Sequence, residues 1–288
     1  MKNISILLLL RICVFLTFVG RAYQHLRWGV NYRDIFWNYK LVGKWVEKYT
    51  DMIWAEYVSD PVVNKNIDLA MQGIGVVFLL GAFSALFFNQ KRKWLGIPIM
   101  LSLFFYLIII YLHFYGQLYL LPLAFEFAAQ FACGILLLAA VHKDIHSARF
   151  NLWVKIIVAV TFTMHGLYAC GILHRPATFL NMTMRGFGLS KAGAIDLLIV
   201  AGILDFIAAA MLFLKPTQRI GFIYCVAWGF ATAFARIYAN FYDYRPWDSL
   251  NQWTWEFFVR TSHYVLPLIG YLLSFYPKDS LVGKAKTA

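Results

Sequence analysis

The feature that most constrains this chain is a series of about eight apolar segments, each long enough to cross a lipid bilayer, at 4–22, 68–88, 95–115, 120–141, 152–172, 195–214, 220–241 and 258–276. A segment of about 20 apolar residues matches the hydrocarbon thickness of a membrane, and only helices satisfy their own backbone hydrogen bonds there. With 61% hydrophobic and 14% charged residues, a soluble domain of 288 residues could not hide its apolar surface. The first segment, "ISILLLLRICVFLTFVG", carries Arg11 in its apolar run and is followed by no small-x-small cleavage pattern. It therefore reads as a retained helix, not a signal peptide. The expected fold class is all-α: a polytopic membrane protein of about eight spans.

The connections "NQKRK", "HKDIHSARFNLWVK" and "KPTQR" and the tail "YPKDSLVGKAKTA" are basic. If every segment spans, all of them lie on the side of the N-terminus, which the positive-inside rule places in the cytoplasm. The expected location is a bacterial cytoplasmic membrane with both termini inside. The +12 net charge is then chiefly a topology signal. No basic stripe interleaves with exposed aromatics, so nucleic acid is not an expected partner. Cys13, Cys133, Cys170 and Cys225 are scattered without CxxC or zinc-like spacing and read as small core residues. His142 and His146 stand one helical turn apart in a short hydrophilic loop, and no metal site is expected there. "NMT" at Asn181 falls in an external loop and reads as a chance match to a glycosylation signal.

The two halves echo each other. "NIDL" at 66–69 answers "AIDL" at 194–197, "YLHFYG" at 111–116 answers "YANFYD" at 238–243, and "FEFAAQ" at 125–130 answers "WEFFVR" at 255–260. "TF" at 17–18 answers "TF" at 161–162, which aligns Arg21 with His165. The order and spacing of these matches point to two parallel four-helix repeats, 1–146 and 147–288, the second ending in a short cytoplasmic tail. The first repeat has a long external loop, 23–66, rich in Trp and Tyr. Trp45, Tyr49, Met52 and Ile53 in it follow a helical spacing, so one or two amphipathic helices at the outer interface are expected. The loop serves either as an aromatic belt or as a lid over a cavity.

The opening "LLRICVFLTFVGRAYQHL", the four-helix unit, and "TMHGLY" followed by a loop and the helix "AGILDFIAAAMLFL" resemble the DoxX-like membrane proteins. The doubled form with a long aromatic loop also resembles the horizontal-transmembrane domains related to vitamin K-dependent carboxylase. The resemblance implies four-helix bundles and, for some DoxX-like members, an association with quinone-linked sulfur oxidation.

Ionisable residues collect toward one end of the second-repeat helices. Thr161, His165 and Tyr168 share a helix face, as do Thr232, Arg236 and Asn240, and Glu256, Arg260 and His263 on the last helix. Asp205 interrupts "LLIVAGILDFIAAAMLFL", about ten residues from the outer end of its segment. Arg21, Asp68, Gln72, Tyr111, His113, Glu126 and Gln130 repeat the arrangement in the first repeat. A charge at the bilayer centre costs at least about 2.5–3.5 kcal/mol, so these groups must face one another or a polar cavity. Asp205 is expected to pair with Arg236, Arg260 or His165.

Three functions fit. In the first, a quinone-like or other amphipathic ligand enters from the outer leaflet and meets His165, Asp205, Arg236, Glu256, Arg260, His263 and Tyr168. With no flavin, iron–sulfur or CxxC motif, electrons would come from a membrane or extracytoplasmic redox partner. Haem between His165 and His263 is a weaker fit, because two histidines are a poor signal. In the second the chain is a structural or accessory subunit whose charges hold the bundle. In the third it is a transporter of small solutes or lipids, against which stands the lack of paired Gly or Pro near mid-membrane. Nothing marks a stand-alone enzyme, since GxSxG and HExxH are both missing.

Overall fold

A computed structural model describes residues 6–116, 124–142 and 144–275. Among the described residues every regular element is helical. In chain order these are α1 (Ile6–Tyr23), α2 (Arg33–Phe36), α3 (Lys44–Tyr49), α4 (Trp54–Ser59), α5 (Pro61–Phe87), α6 (Gly96–Gly116) and α7 (Ala128–His142). There follow α8 (Ala148–Ala169), α9 (Ala177–Phe187), α10 (Lys191–Met211), α11 (Gln218–Tyr238), α12 (Pro246–Val259) and α13 (Ser262–Phe275). Within the described residues, six helices are long and apolar enough to cross a membrane: α1 with its extension to Trp28, α5, α6 with the turn before it, α8, α10 and α11. The chain is a multi-pass membrane protein.

Local chemistry sets where these helices begin and end. The Asp60 carboxylate accepts from the backbone N–H groups of Val62 and Val63, and Pro61 occupies the first helical position of α5. Ser147 and Ser190 cap α8 and α10 in the same way, accepting from Phe150 and Gly193. These side chains satisfy donors that no helical carbonyl can reach. Gly188 ends α9 in the left-handed conformation, at φ 63°.

The helices pack as two rings of four. α1, α5, α6 and α7 contact one another in cyclic order, and so do α8, α10, α11 and α13. The rings meet along α1, α7, α8 and α13, and one apolar core runs through both, from Leu10, Phe18, Phe78 and Leu137 to Val154, Phe222 and Leu266. Small residues allow the closest approaches. A Cβ on Gly202 of α10 would lie 2.8 Å from the Gly166 carbonyl oxygen of α8 and 2.6 Å from Cys170 Sγ. Such contacts bring backbones together where lipid offers no hydrophobic drive between helices.

Hydrogen bonds identify the two ends of the bundle. At one end Arg11 donates to the Phe88 carbonyl, Gln90 to that of Val141, and Asn151 to Ser274 Oγ. At the other, Tyr23 bonds Asn251, Arg33 bonds Asp68, and Asn38 bonds Tyr115. The long loops gather at this second end, called here the loop end.

Three sequence expectations need correction. The last helix, expected to carry Glu256 as well as His263, is interrupted: α12 ends at Val259, Arg260 and Thr261 turn, and α13 starts at Ser262. α13 has 14 residues and α7 has 15, or about 21–23 Å at 1.5 Å each. The start expected for the segment at 120–141 falls partly outside the described residues. Second, the helical spacing from Trp45 to Ile53 stops at Tyr49. Thr50 is extended, at φ −129° and ψ 156°, and the loop forms three short helices, α2 to α4, with π-turns at Gln24–Trp28 and Tyr39–Gly43. Third, α9 is a helix at the loop end where the sequence predicts only loop.

Candidate functional site

A cavity of about 480 Å³ lies among α8, α9, α10, α11 and the start of α13. This is the size range of small-molecule sites. Phe162, Phe179, Met182, Leu198, Ala201 and Trp228 form its apolar walls. Its mouth is rimmed by Phe187, Phe234 and Tyr238, all exposed side chains. His165, Asp205, Arg236, Arg260 and His263, five residues singled out from sequence, all line it.

Four of them make one polar end. Glu256 is shared by two guanidiniums, at 3.5 Å from Arg236 Nη1 and 3.1 Å from Arg260 Nη1. α12 presents Glu256, the turn presents Arg260 one helical turn on and in contact with it, and α13 carries His263, which lines the cavity together with Arg260. The His165 and His263 rings meet edge to face with centroids 5.2 Å apart. His165 Nδ1 is hydrogen bonded to the Thr161 carbonyl at 2.8 Å, so Nε2 is the nitrogen free to meet a ligand. Phe179 stacks on His165 and lies under the Arg236 guanidinium.

Glycine permits this approach. A Cβ on Gly229 would stand 2.4 Å from the His263 carbonyl oxygen. Pro267, four residues after His263, has no N–H to bond that carbonyl, and its ring crowds it outward. The start of α13 is thereby pressed against α11 beside the cavity.

Several buried polar atoms at this end find no partner among the described residues: Arg236 Nε, both ring nitrogens of His263, Tyr168 Oη and Ser262 Oγ. Arg236 is 7% exposed and His263 5%. Buried polar groups without partners are rare and costly.

Asp205 is 3% exposed and does not pair with a cation. Its carboxylate accepts from the Tyr224 hydroxyl at 2.9 Å. The reason is the antiparallel α10–α11 hairpin, which turns near Leu214–Lys215 and sets residue 205 level with 224. Arg236 lies twelve residues further on, about 18 Å along α11. Since α10 starts at Lys191, Asp205 is also deeper than expected, about 21 Å from the loop end.

The first-half candidates divide. Arg21, 4% exposed, donates to Tyr106 Oη from Nε and Nη2, to Gln130 Oε1 at 3.0 Å, and to Gln24 Oε1 at 2.8 Å. All these acceptors are neutral, and no cavity opens beside them among the pockets described. His113 and Glu126 stand 3.8 Å apart. Asp68 belongs to a surface ion pair with Arg33, Gln72 is exposed, and Tyr111 is 40% exposed. These three lie away from the cavity. Tyr168 is fully buried with its ring against Phe179.

The long first loop does not cover the cavity, for none of residues 23–66 lines it. It packs on the first ring through Arg33–Asp68, Asn38–Tyr115 and the Val30 N–H to Met71 sulfur contact. There Tyr32 accepts or donates a hydrogen bond with His25 at 2.9 Å, and burial pushes its hydroxyl pKa up, with Arg21 pulling the other way. The cover over the cavity is α9, whose Phe179, Met182, Thr183, Gly186 and Phe187 all line it. Their i, i+3, i+4, i+7, i+8 spacing is that of one amphipathic face and was readable in "ATFLNMTMRGF". No group of three His, Cys, Asp or Glu among the described residues could hold a metal ion. Comparison with protein-family models, curated proteins and solved structures finds no significant match for the chain.

Proposed function

We propose that this chain is an eight-segment membrane protein of two parallel four-helix repeats, in the manner of the DoxX-like and horizontal-transmembrane families, and that its second repeat binds an amphipathic, lipid-soluble molecule. A quinone or another single-chain lipid fits the description, and in the redox reading a partner subunit supplies the electrons. The cyclic contact order of the two rings supports the repeat. α7 and α13 complete the eight, short helices held between longer neighbours. One observation carries the ligand reading: a cavity with apolar walls and an exposed aromatic mouth ends at buried donors that the protein leaves unpartnered. Ligand sites combine apolar walls with a few placed polar groups in this way.

The test is lipid analysis of the purified protein. Wild-type protein denatured after extensive detergent washing releases a near-stoichiometric lipid or quinone, identified by mass spectrometry. Ala201→Phe, which fills the cavity from its wall, loses that species. Equal amounts from both proteins would return the charged cluster to a role as helix glue in an accessory subunit.

A second reading, a transporter of lipids or small solutes, rests on the interruption at Arg260–Thr261. Broken helices at membrane depth are the usual location of transporter sites. Time-resolved flux of the identified ligand across proteoliposomes separates the two readings.

A further inference from the structure

We propose that the polar end of the cavity is built for a monoanionic head group, a carboxylate or phosphate carried on a single hydrocarbon chain. The inference rests on the ligand-binding reading above and narrows it. It starts from a contrast between two buried arginines of one bundle. Arg21 spends its donors on Tyr106, Gln130 and Gln24, and the chain fills the space around it. Arg236 is as deeply buried, yet its Nε has no acceptor among the described residues, and the space beside it is cavity. A guanidinium out of water needs charge-assisted acceptors.

The charge count points the same way. Arg236 and Arg260 line the cavity and share a single carboxylate, Glu256. Asp205, the one acid on the cavity wall, is bonded to Tyr224 and too far along α11 to neutralise them. Two guanidiniums at the cavity wall thus have one carboxylate in contact between them. Beside them the His263 ring, which also lines the cavity, has no partner among the described residues. A neutral quinone ring would bring these two guanidiniums no second anionic acceptor. A cationic or zwitterionic head would bring a further positive charge against them. A free inorganic anion would satisfy the arginines but waste the walls of Phe162, Phe179, Met182 and Leu198. The chain of an anionic amphiphile would lie along those walls and leave through the Phe187–Phe234–Tyr238 mouth.

The experiment measures thermal shifts of the delipidated, detergent-solubilised full chain with native mass spectrometry of the bound species. The probes are oleate, a lysophosphatidate, a neutral monoglyceride of equal chain, a short-chain ubiquinone and inorganic phosphate. A ligand that binds only the folded state raises apparent stability. Oleate and lysophosphatidate are expected to bind at least ten-fold more tightly than the monoglyceride or the quinone. Arg236→Gln should erase that preference, and it leaves Glu256 its 3.1 Å contact to Arg260, so no carboxylate is orphaned. Arg33→Gln, on the surface ion pair, should leave the preference intact. Should Arg236→Gln fail to fold, Ala235→Phe blocks the cavity from its half-exposed rim and should abolish binding of both anions. Equal binding of quinone, monoglyceride and oleate would overturn the anionic head and leave the amphipathic site standing. Inorganic phosphate binding as tightly as lysophosphatidate would overturn the chain requirement. No response to any probe, in wild type or variants, would overturn the site itself.

Discussion

Tyr224 donates to Asp205 at 2.9 Å across the α10–α11 hairpin, joining two residues that are level only because the helices run antiparallel. A hydrogen bond to a buried carboxyl group typically contributes about 1.5–3 kcal/mol. Tyr224→Phe and Asp205→Asn should therefore each destabilise the protein, and the double variant should cost less than their sum by about 1 kcal/mol. Asp205→Asn and Arg236→Gln should add within about 0.5 kcal/mol, as distant sites do. Thermal melts in detergent decide. Strong coupling to Arg236 would mean that the hairpin register is wrong.

The glycine contact between α8 and α10 makes a second prediction. A methyl group at 202 meets the Gly166 carbonyl and Cys170 Sγ inside van der Waals distance, and backbone cannot swing aside as a side-chain tip can. Gly202→Ala should cost about 1–3 kcal/mol by overpacking. Gly73→Ala, with nothing within 4 Å of its added methyl, should be neutral or stabilising by up to about 1 kcal/mol, since alanine is the better helix former. If both variants melt alike, the two helices do not approach as closely as described.

Glu256 supports a third. Its carboxylate holds two guanidiniums in a largely buried setting, whereas Asp68 pairs with Arg33 near the surface. Glu256→Gln should cost about 3 kcal/mol, because it leaves both arginines without their counter-charge. Asp68→Asn should cost less than about 1 kcal/mol. A larger loss at Asp68 would contradict the burial of the Glu256 cluster.

The membrane class and most of the helix positions were legible in the sequence because apolar length and helical period are local properties. Arg236, His165 and His263 could be grouped for the same reason: each lies a similar number of residues from a helix end, and helical rise converts that count into depth. What escaped was anything set between elements. Asp205 was matched to the wrong partner because its neighbour depends on where the hairpin turns, a sum of positions rather than a spacing. The break at Arg260–Thr261 has no glycine and no proline at the turn itself. Pro267 lies further on, inside α13, and Gly229, which makes room for the His263 carbonyl, lies on a different helix. Helix α9 did carry a signal, an amphipathic face from Phe179 to Phe187, but a segment of 11 residues is too short to register as a span. The aromatic loop drew attention as a lid through its composition, while its contacts tie it to the first ring.

Membrane orientation gives the last prediction. The end opposite the loops holds the short basic connection Asn89–Lys93, with Lys91, Arg92 and Lys93 exposed, and the connection at 212–217, with exposed Lys215 beside exposed Arg219. Short loops rich in Lys and Arg stay on the cytoplasmic side, while long external segments translocate with less regard to charge. The loop end carries the acids Asp34, Glu47, Asp51, Glu56 and Asp60 in one long segment, together with interfacial aromatics such as Trp45 and Tyr49, stacked and exposed. Two variants with one new cysteine each, Lys91→Cys and Asp51→Cys, can be made in a background where Cys170, the half-exposed native cysteine, is replaced by serine. Cys13, Cys133 and Cys225 are buried and should stay silent. A membrane-impermeant maleimide added to intact cells should label the variant at 51 and spare the one at 91 until the membrane is opened. The reverse pattern would turn the bundle over and place the cavity mouth, near the ends of α9 and α11, in the cytoplasmic leaflet. An anionic lipid would then reach it from the side where such lipids are exposed to cytosolic enzymes.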